Sequence, residues 1–329
     1  MSKMKVLITD PIHMEAINLL KDSGLDITYV KIKSKEHFLK IIPRYDALIC
    51  RTSTKVTSEV ITSAKRLRCI GVAATGWDHI DVDAAAKRGI ILFGLPPGDK
   101  SVNIQREGSF LPTAEHTILA MLAAAGNFYQ AVSSLKAGKW EKYNLVGTEL
   151  YGKTLGIVGL GRIGGMVAQR AAAFGMKVVA YDPHVSRDVI KNLGVKVKKV
   201  SLAVLCKKSD FITIHAHKTP KTTNLLDQKS FALMKNGVII INTARPAIIN
   251  ERALMRGLAS KRVRCAVLDV FENEPNPARM NMDLIQMPNV IATPHIAGVS
   301  EEAWKRVSLT TAKDVIAYLK YGKKKHVIL

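Results

Sequence analysis

Leu155-Gly156-Ile157-Val158-Gly159-Leu160-Gly161-Arg162-Ile163-Gly164 is the stretch whose reading decides the fold. Its first four residues form a short apolar run with the look of a buried strand, and the run leads straight into GxGxxG. Beyond the glycines, Met166 to Phe174 has helical composition, and Met176 to Tyr181 is a second strand-like run ending on Asp182. The order is strand, glycine turn, helix, strand, acid. In such a unit Gly159 permits the tight turn, Gly161 lets the backbone approach a pyrophosphate, and Gly164 lets the helix pack closely on the strand. The anion then rests on free N–H groups at the helix N-terminus, where the dipole favours negative charge. Asp182 stands where a carboxylate accepts hydrogen bonds from an adenosine ribose, and it repels a 2′-phosphate, so the expected cofactor is NAD. A glycine-rich turn in an ordinary α/β protein is the plainer alternative, and it leaves Asp182 unexplained.

Working outward, 329 residues suffice for two domains, each with its own core. A hydrophobic share of 47% with 23% charged residues places the chain among soluble globular proteins. No uninterrupted apolar run approaches the roughly 18 residues needed to span a bilayer. The N-terminus passes directly into Val6-Leu7-Ile8 without a signal-peptide pattern, so a cytoplasmic protein with no membrane partner is expected. Cys50, Cys69, Cys206 and Cys265 stand apart in apolar surroundings without CxxC spacing, which points to buried free thiols and to no metal site. The net charge of +22 is spread through the chain, with small clusters at Lys196, Lys198 and Lys199 and at Lys323 to Lys325. A solvated basic surface explains it, and steering of an anionic substrate is the rival reading. With no aromatic-interleaved basic motif, dedicated nucleic-acid binding is not expected.

Strand-like runs at Val6 to Thr9, Ile27 to Val30, Ala47 to Arg51, Ile70 to Ala73 and Ile90 to Phe93 alternate with helical segments, the first being Met14 to Leu20 ended by Gly24. Thr113 to Ala125 is a strongly apolar helix after Pro112, and Glu301 to Lys320 is a second long helix. Further strands are expected at Phe211 to Ile214, Val238 to Ile241, Ala266 to Leu268 and Val290 to Ile291. If the two long helices cross between domains, the first domain is discontinuous. The fold class is then α/β with two Rossmann-like domains: an NAD-binding, doubly wound parallel sheet at 104–298, inserted in a smaller flavodoxin-like substrate domain at 1–103 and 299–329.

Three polar residues fall at or just beyond the C-terminal ends of the later strands, where open α/β sheets bind ligands. They are Arg245 after Val238 to Ile241, Glu274 in Asp269-Val270-Phe271-Glu272-Asn273-Glu274-Pro275, and His295 in Thr293-Pro294-His295. An arginine, a carboxylate and a histidine on neighbouring loops suit a carboxylate-bearing substrate that gains or loses a proton. Singly, each reads as well as a surface charge or a satisfied loop histidine.

With these motifs the chain resembles the D-isomer-specific 2-hydroxyacid dehydrogenases, and within them the D-3-phosphoglycerate dehydrogenase branch. The resemblance covers nearly the whole chain. It is carried by Arg51-Thr52-Ser53-Thr54-Lys55-Val56, Gly76-Trp77-Asp78-His79-Ile80-Asp81, Ala114-Glu115-His116, the glycine loop, Met234-Lys235-Asn236-Gly237, Asn242-Thr243-Ala244-Arg245, Asp269-Val270-Phe271-Glu272 and Thr293-Pro294-His295. It implies a catalytic trio of Arg245, Glu274 and His295, with Arg51 and the backbone around Thr75 and Gly76 holding the acidic groups of the substrate. Cofactor contacts implied are Arg162, Ile163, Asp182, His215, Thr243 and Asp269, beside Gly159, Gly161 and Gly164. In this scheme Arg245 grips the substrate through its guanidinium fork, His295 exchanges the 2-hydroxyl proton, and Glu274 favours the imidazolium.

The chain departs from the family's pattern in three places. Pro246 replaces the usual Gly after the arginine, removing an N–H and biasing Arg245 toward extended backbone. His217-Lys218 replaces the usual Pro-Leu pair and adds basic groups near the expected nicotinamide or phosphate edge. The loop from Gly98 to Ala114 is longer than the family's, and Arg106 within it is expected to make a substrate or subunit contact.

The resemblance also implies a homodimer formed through the helix Thr113 to Ala125 and the segment around Trp140 to Tyr151, with Trp140 an interface or core anchor. The C-terminal regulatory domain of longer phosphoglycerate dehydrogenases is not expected. The implied activity is NAD-dependent hydride transfer at C2 of a small anionic 2-hydroxy or 2-oxo acid, foremost 3-phosphoglycerate and 3-phosphohydroxypyruvate in serine biosynthesis. A glyoxylate or hydroxypyruvate reductase shares that chemistry. From a different class, an NAD(H)-sensing binding protein of the corepressor type shares the fold.

Overall fold

Short runs of Val, Ile, Leu and Cys that are apolar on both faces do not alternate, and such strands belong in parallel sheets covered by helices on both sides. The computed structural model describes residues 3–94 and 108–328. The chain divides into two compact units, Met1–Leu111 with Val299–Leu329, and Pro112–Gly298. Each unit is a parallel α/β sheet.

In the first unit β1 (Lys5–Ile8), β2 (Asp26–Tyr29), β3 (Ala47–Cys50), β4 (Cys69–Val72) and β5 (Ile91–Phe93) lie in the order β2-β1-β3-β4-β5. Every pair is parallel. This is the flavodoxin-like order, with its reversal between β1 and β3. One face buries Leu7, Leu48 and Ile70 against Phe38, Val60 and Ile61. The other buries Val6, Ile8 and Ile49 against Val307, Ala312 and Val315 of the helix Glu301–Tyr321. That helix begins where the Ser300 side chain accepts the Ala303 N–H, and it ends at Gly322 in the left-handed region. Gly71 brings it close: a Cβ there would stand 2.6 Å from Thr311 Cγ2 and 2.9 Å from Val315 Cγ2.

The second unit holds β6 (Thr154–Val158), β7 (Lys177–Tyr181), β8 (Val197–Lys199), β9 (Phe211–Ile214), β10 (Val238–Asn242), β11 (Val263–Leu268) and β12 (Val290–Ala292) in the order β12-β11-β10-β9-β6-β7-β8. All pairs are parallel, and the order reverses between β6 and β9. This is the doubly wound dinucleotide-binding topology. Arg162–Ala173 covers one face; its Gly164, Val167, Ala168 and Ala171 recur at helical spacing and are buried. The Lys198–Lys199 cluster, read from sequence as solvated surface, belongs to the edge strand β8, where lysines stay exposed and blunt further pairing.

The helix Phe110–Ala125 starts earlier than the sequence implies, so the last residues of the long 98–114 loop are helical. It meets Phe128–Lys136 at 62° across Gly126 and Asn127. Leu119, Leu122, Phe128, Tyr129 and Leu135 of these two helices are exposed. So are Trp140 and Tyr143, at 82% and 83%, and Trp140 is therefore no core anchor within the chain. Among the described residues no single helix is long and apolar enough to cross a membrane. The four cysteines are buried and unbridged, and burial pushes the Cys206 and Cys265 thiols up to about 11.

Candidate active site

In the second unit the chain turns from β6 into Gly159, whose φ of +92° only glycine adopts without strain. Its N–H donates to Tyr181 O at 2.9 Å, and the His215 N–H donates to Val158 O at 2.8 Å, so the ends of β6, β7 and β9 are tied together. A Cβ on Gly159 would stand 2.6 Å from Ala216 N and 2.8 Å from the His215 carbonyl carbon. A Cβ on Gly164 would run into the Gly159 carbonyl oxygen. Gly161 differs: nothing lies within 4 Å of the position its Cβ would take. Two glycines thus close the turn, and the third leaves open space at the N-terminus of Arg162–Ala173.

Asp182 follows β7 and accepts three backbone N–H groups: Leu160 at 2.9 Å on Oδ2, and His184 at 2.8 Å and Val185 at 3.1 Å on Oδ1. A carboxylate offers about four lone-pair directions, so one is left for a hydroxyl ligand. His215 lies at the reversal of strand order. Both of its ring nitrogens are buried without a hydrogen-bond partner, and burial lowers its pKa to about 3. A neutral imidazole with unmatched polar atoms at a switch point is complementary to a polar ligand. The open space at Gly161, the spare capacity of Asp182 and the orphaned nitrogens of His215 together fit a dinucleotide. Arg162 and Ile163 are half-buried at the first turn of the helix. Thr243 is buried, with its Oγ1 3.2 Å from Thr117 Oγ1. His217 and Lys218 are exposed.

The loops after β10, β11 and β12 carry the candidate trio. Arg245 has φ −141° and ψ 137°, extended, and Pro246 behind it opens a 3₁₀ turn to Ile248. Asn242, part of a quoted motif but given no role by the sequence, shapes this corner: its Nδ2 donates to Arg245 O at 3.0 Å and its Oδ1 accepts the Ala244 N–H at 3.0 Å. Arg245 Nη1 donates to Ala244 O at 2.8 Å. His295 adopts φ +54°, and its Nδ1 lies 2.5 Å from Glu274 Oε1. The other Glu274 oxygen accepts the Phe271 N–H at 3.0 Å, fixing the carboxylate. Neither partner is sealed off: the side chains are 36% and 28% exposed.

Asp269, at 1% exposure, serves the same loop. Its Oδ1 accepts from Thr293 Oγ1 at 2.6 Å and from the Ile296 N–H at 2.9 Å, and its Oδ2 accepts the Ala297 N–H at 2.8 Å. The residues on either side of His295 are therefore held by one buried carboxylate. That role shows in the fold and not in the motif, because the acceptor and its three donors are more than twenty positions apart.

In the first unit Arg51 and Thr75–Gly76 follow the adjacent strands β3 and β4 and are half-buried. Thr75 Oγ1 bonds Ser109 Oγ. Burial pulls the Arg51 guanidinium below its ordinary value, and the charge of Asp10 opposes this. Arg106 lies outside the described residues.

Residues 118–297, more than half of the chain, match the family described as "D-isomer specific 2-hydroxyacid dehydrogenase, NAD binding domain". The chain belongs to this 2-hydroxyacid dehydrogenase family. Among curated relatives of the chain, a D-3-phosphoglycerate dehydrogenase of Methanocaldococcus jannaschii is 42% identical over 315 residues, 95% of the chain. The chain spans only 57% of that relative's length. A hydroxypyruvate reductase of Thermotoga maritima is 40% identical over 321 residues, 97% of this chain and 99% of its own. Among solved structures, the TT0316 protein from Thermus thermophilus superposes with a TM-score of 0.87 at 31% identity, covering 99% of this chain and all of its own. NAD is accordingly the cofactor of this 2-hydroxyacid dehydrogenase family member, and the residues around Gly161, Asp182 and His215 fit it.

Proposed function

We propose that the chain is an NAD-dependent dehydrogenase of small D-2-hydroxyacids, with 3-phosphoglycerate and 3-phosphohydroxypyruvate as its physiological pair. The observation that carries the reading is the His295–Glu274 contact at 2.5 Å, at the C-terminal edge of a dinucleotide-binding sheet. With Nδ1 engaged by Glu274, Nε2 is the nitrogen left to take the 2-hydroxyl proton or return it to the 2-oxo oxygen. Glu274 holds the ring in one orientation, and Asp269 holds the backbone beneath it. Arg245 grips the carboxylate next to C2 through its planar fork. Arg51, with the backbone around Thr75 and Gly76, takes the remaining acidic groups. Bound NAD supplies the hydride chemistry.

The name of the M. jannaschii relative supports the phosphorylated substrate and a place in serine biosynthesis, and the basic net charge of +22 favours a multiply charged anion. The T. maritima relative, of nearly equal length, supports hydroxypyruvate as the second reading. The exposed aromatic face around Trp140 and Tyr143 supports a homodimer. Four buried, unbridged thiols support the reducing cytoplasm.

The test is NADH oxidation, followed by absorbance, against phosphohydroxypyruvate, hydroxypyruvate, glyoxylate, pyruvate and 2-oxoglutarate, with His295→Ala as control. A preference for phosphohydroxypyruvate that vanishes in the variant upholds the reading. Preference for a smaller acid leaves the chemistry and removes the substrate. NADH binding without any turnover rejects the dehydrogenase and favours a cofactor-sensing binding protein.

A further inference from the structure

Two strands of the first unit, β1 and β3, are neighbours, yet the chain leaves β1 toward β2 and β3 toward β4, on opposite sides. Their C-terminal ends therefore bound a switch-point crevice of their own. Asp10 follows β1 and Arg51 follows β3. Regular pairing ends at Ile8 and Ile49, and the Thr9 N–H still donates to Ile49 O at 3.1 Å. The next donor on the β3 side, the Arg51 N–H, is taken by a side chain: it donates to Asp10 Oδ2 at 2.7 Å. Asp10 is 5% exposed.

We infer that Asp10 is a positioning residue for substrate binding, its buried carboxylate fixing the backbone from which Arg51 reaches the acid. The inference rests on the dehydrogenase reading and deepens it. The segment Arg51 to Val56 is held at both ends by different means. At its far end the Val56 N–H donates to His79 O at 2.8 Å and the Asp81 N–H to Val56 O at 2.9 Å, main chain to main chain. At its near end the bond to Asp10 is a side-chain bond, so a single substitution releases it. Because the carboxylate engages the N–H and not the guanidinium, the Arg51 side chain makes no hydrogen bond or ion pair among the described residues. A half-buried cation so placed is complementary to an incoming anion. A charged acceptor also holds a backbone N–H more firmly than a neutral one.

The experiment compares Asp10→Ala, which removes the acceptor, with Asp10→Asn, which keeps an oxygen in place, in the full chain. In Asp10→Ala, amide exchange of the peptide spanning Arg51 to Val56 is expected to quicken about tenfold. The KM for phosphohydroxypyruvate should rise about tenfold, with kcat within about twofold and NADH affinity unchanged. Asp10→Asn should return both exchange and KM to within about threefold of the wild type. Unchanged exchange in Asp10→Ala overturns the inference, as does faster exchange with KM unmoved, or an Asp10→Asn as impaired as Asp10→Ala. Exchange requires no turnover, so failure of the dehydrogenase reading shows separately, as an inactive wild-type chain.

Discussion

Replacing Gly161 and Gly159 by alanine separates the demands of the fold from those of the cofactor, although the two glycines are two positions apart. At Gly159 alanine must adopt φ +92°, at a cost of about 1–2 kcal/mol, and its methyl meets the backbone of His215 and Ala216 at 2.6–2.9 Å. Backbone cannot rotate aside as a side chain does, so overpacking adds about 1–3 kcal/mol. The sum, about 2–5 kcal/mol, is a large part of a domain's stability of about 5–15 kcal/mol. At Gly161 the backbone has φ −80° and the space is open. Alanine loses about 0.5–1 kcal/mol as a helix cap. It regains about 0.4–1 kcal/mol because its unfolded chain is stiffer, so urea denaturation should move by no more than about 0.5 kcal/mol. The methyl nevertheless fills the space a pyrophosphate needs. Loss of one charge-assisted hydrogen bond, about 1.5–3 kcal/mol, weakens NADH roughly 10- to 150-fold in a fluorescence titration. If Gly161→Ala binds NADH as the wild type does, or unfolds as readily as Gly159→Ala, the reasoning is wrong.

His215 carries a pH signature: its folded pKa of about 3 lies below the ordinary value of 6.5. Between these values the unfolded chain binds a proton that the folded chain refuses, so stability falls as pH drops through the window, by up to about 1.4 kcal/mol per unit. His215→Asn should remove that slope in urea melts between pH 6.5 and 4. Glu274→Gln leaves His295 without its anionic partner, and kcat should drop about 100-fold while NADH affinity holds, a result read from steady-state kinetics beside a binding titration. Asp269→Ala strands three donors around His295; a loss of about 1–3 kcal/mol per stranded buried group in denaturant melts, together with reduced kcat, is expected. The proposed homodimer is tested by light scattering: the wild type should run as a dimer, and replacing Trp140 and Tyr143 together by serine should give a monomer whose melting curve is little changed.

The parts of this molecule legible in the sequence are those in which chemistry and periodicity coincide. The glycine turn, the helix Arg162–Ala173 and Asp182 lie in one continuous stretch, and each glycine answers a steric demand visible in the backbone. Glu274 and His295 were legible as types on neighbouring loops, while their 2.5 Å contact depends on the order of β10, β11 and β12, which is a long-range property. Strand β8 was hidden because Lys198 and Lys199 obey the rules of an edge, where charge is tolerated, and not those of a buried strand. The backbone-holding roles of Asn242 and Asp269, both within quoted motifs and Asp269 expected as a cofactor contact, and of Asp10 were hidden for another reason. Their partners are backbone N–H and C=O groups, which every residue carries and no motif records.

The helix Glu301–Tyr321 has a consequence for how the protein is made. It supplies Val307, Ala312 and Val315 to a layer in which Val6, Ile8, Ala16, Leu20 and Ile49 are translated first. Between them the ribosome must deliver residues 112–298, which at about 5–20 residues per second takes roughly 10–40 s. During that interval the first five strands are outside the ribosome with this face covered only in part, by Ala16 and Leu20 of the helix Met14–Asp22, while the dinucleotide-binding unit has all of its own strands and can close. The five-stranded unit thus waits for its last helix until the inserted unit has been made, and the uncovered part of its face is the surface a nascent-chain chaperone would meet.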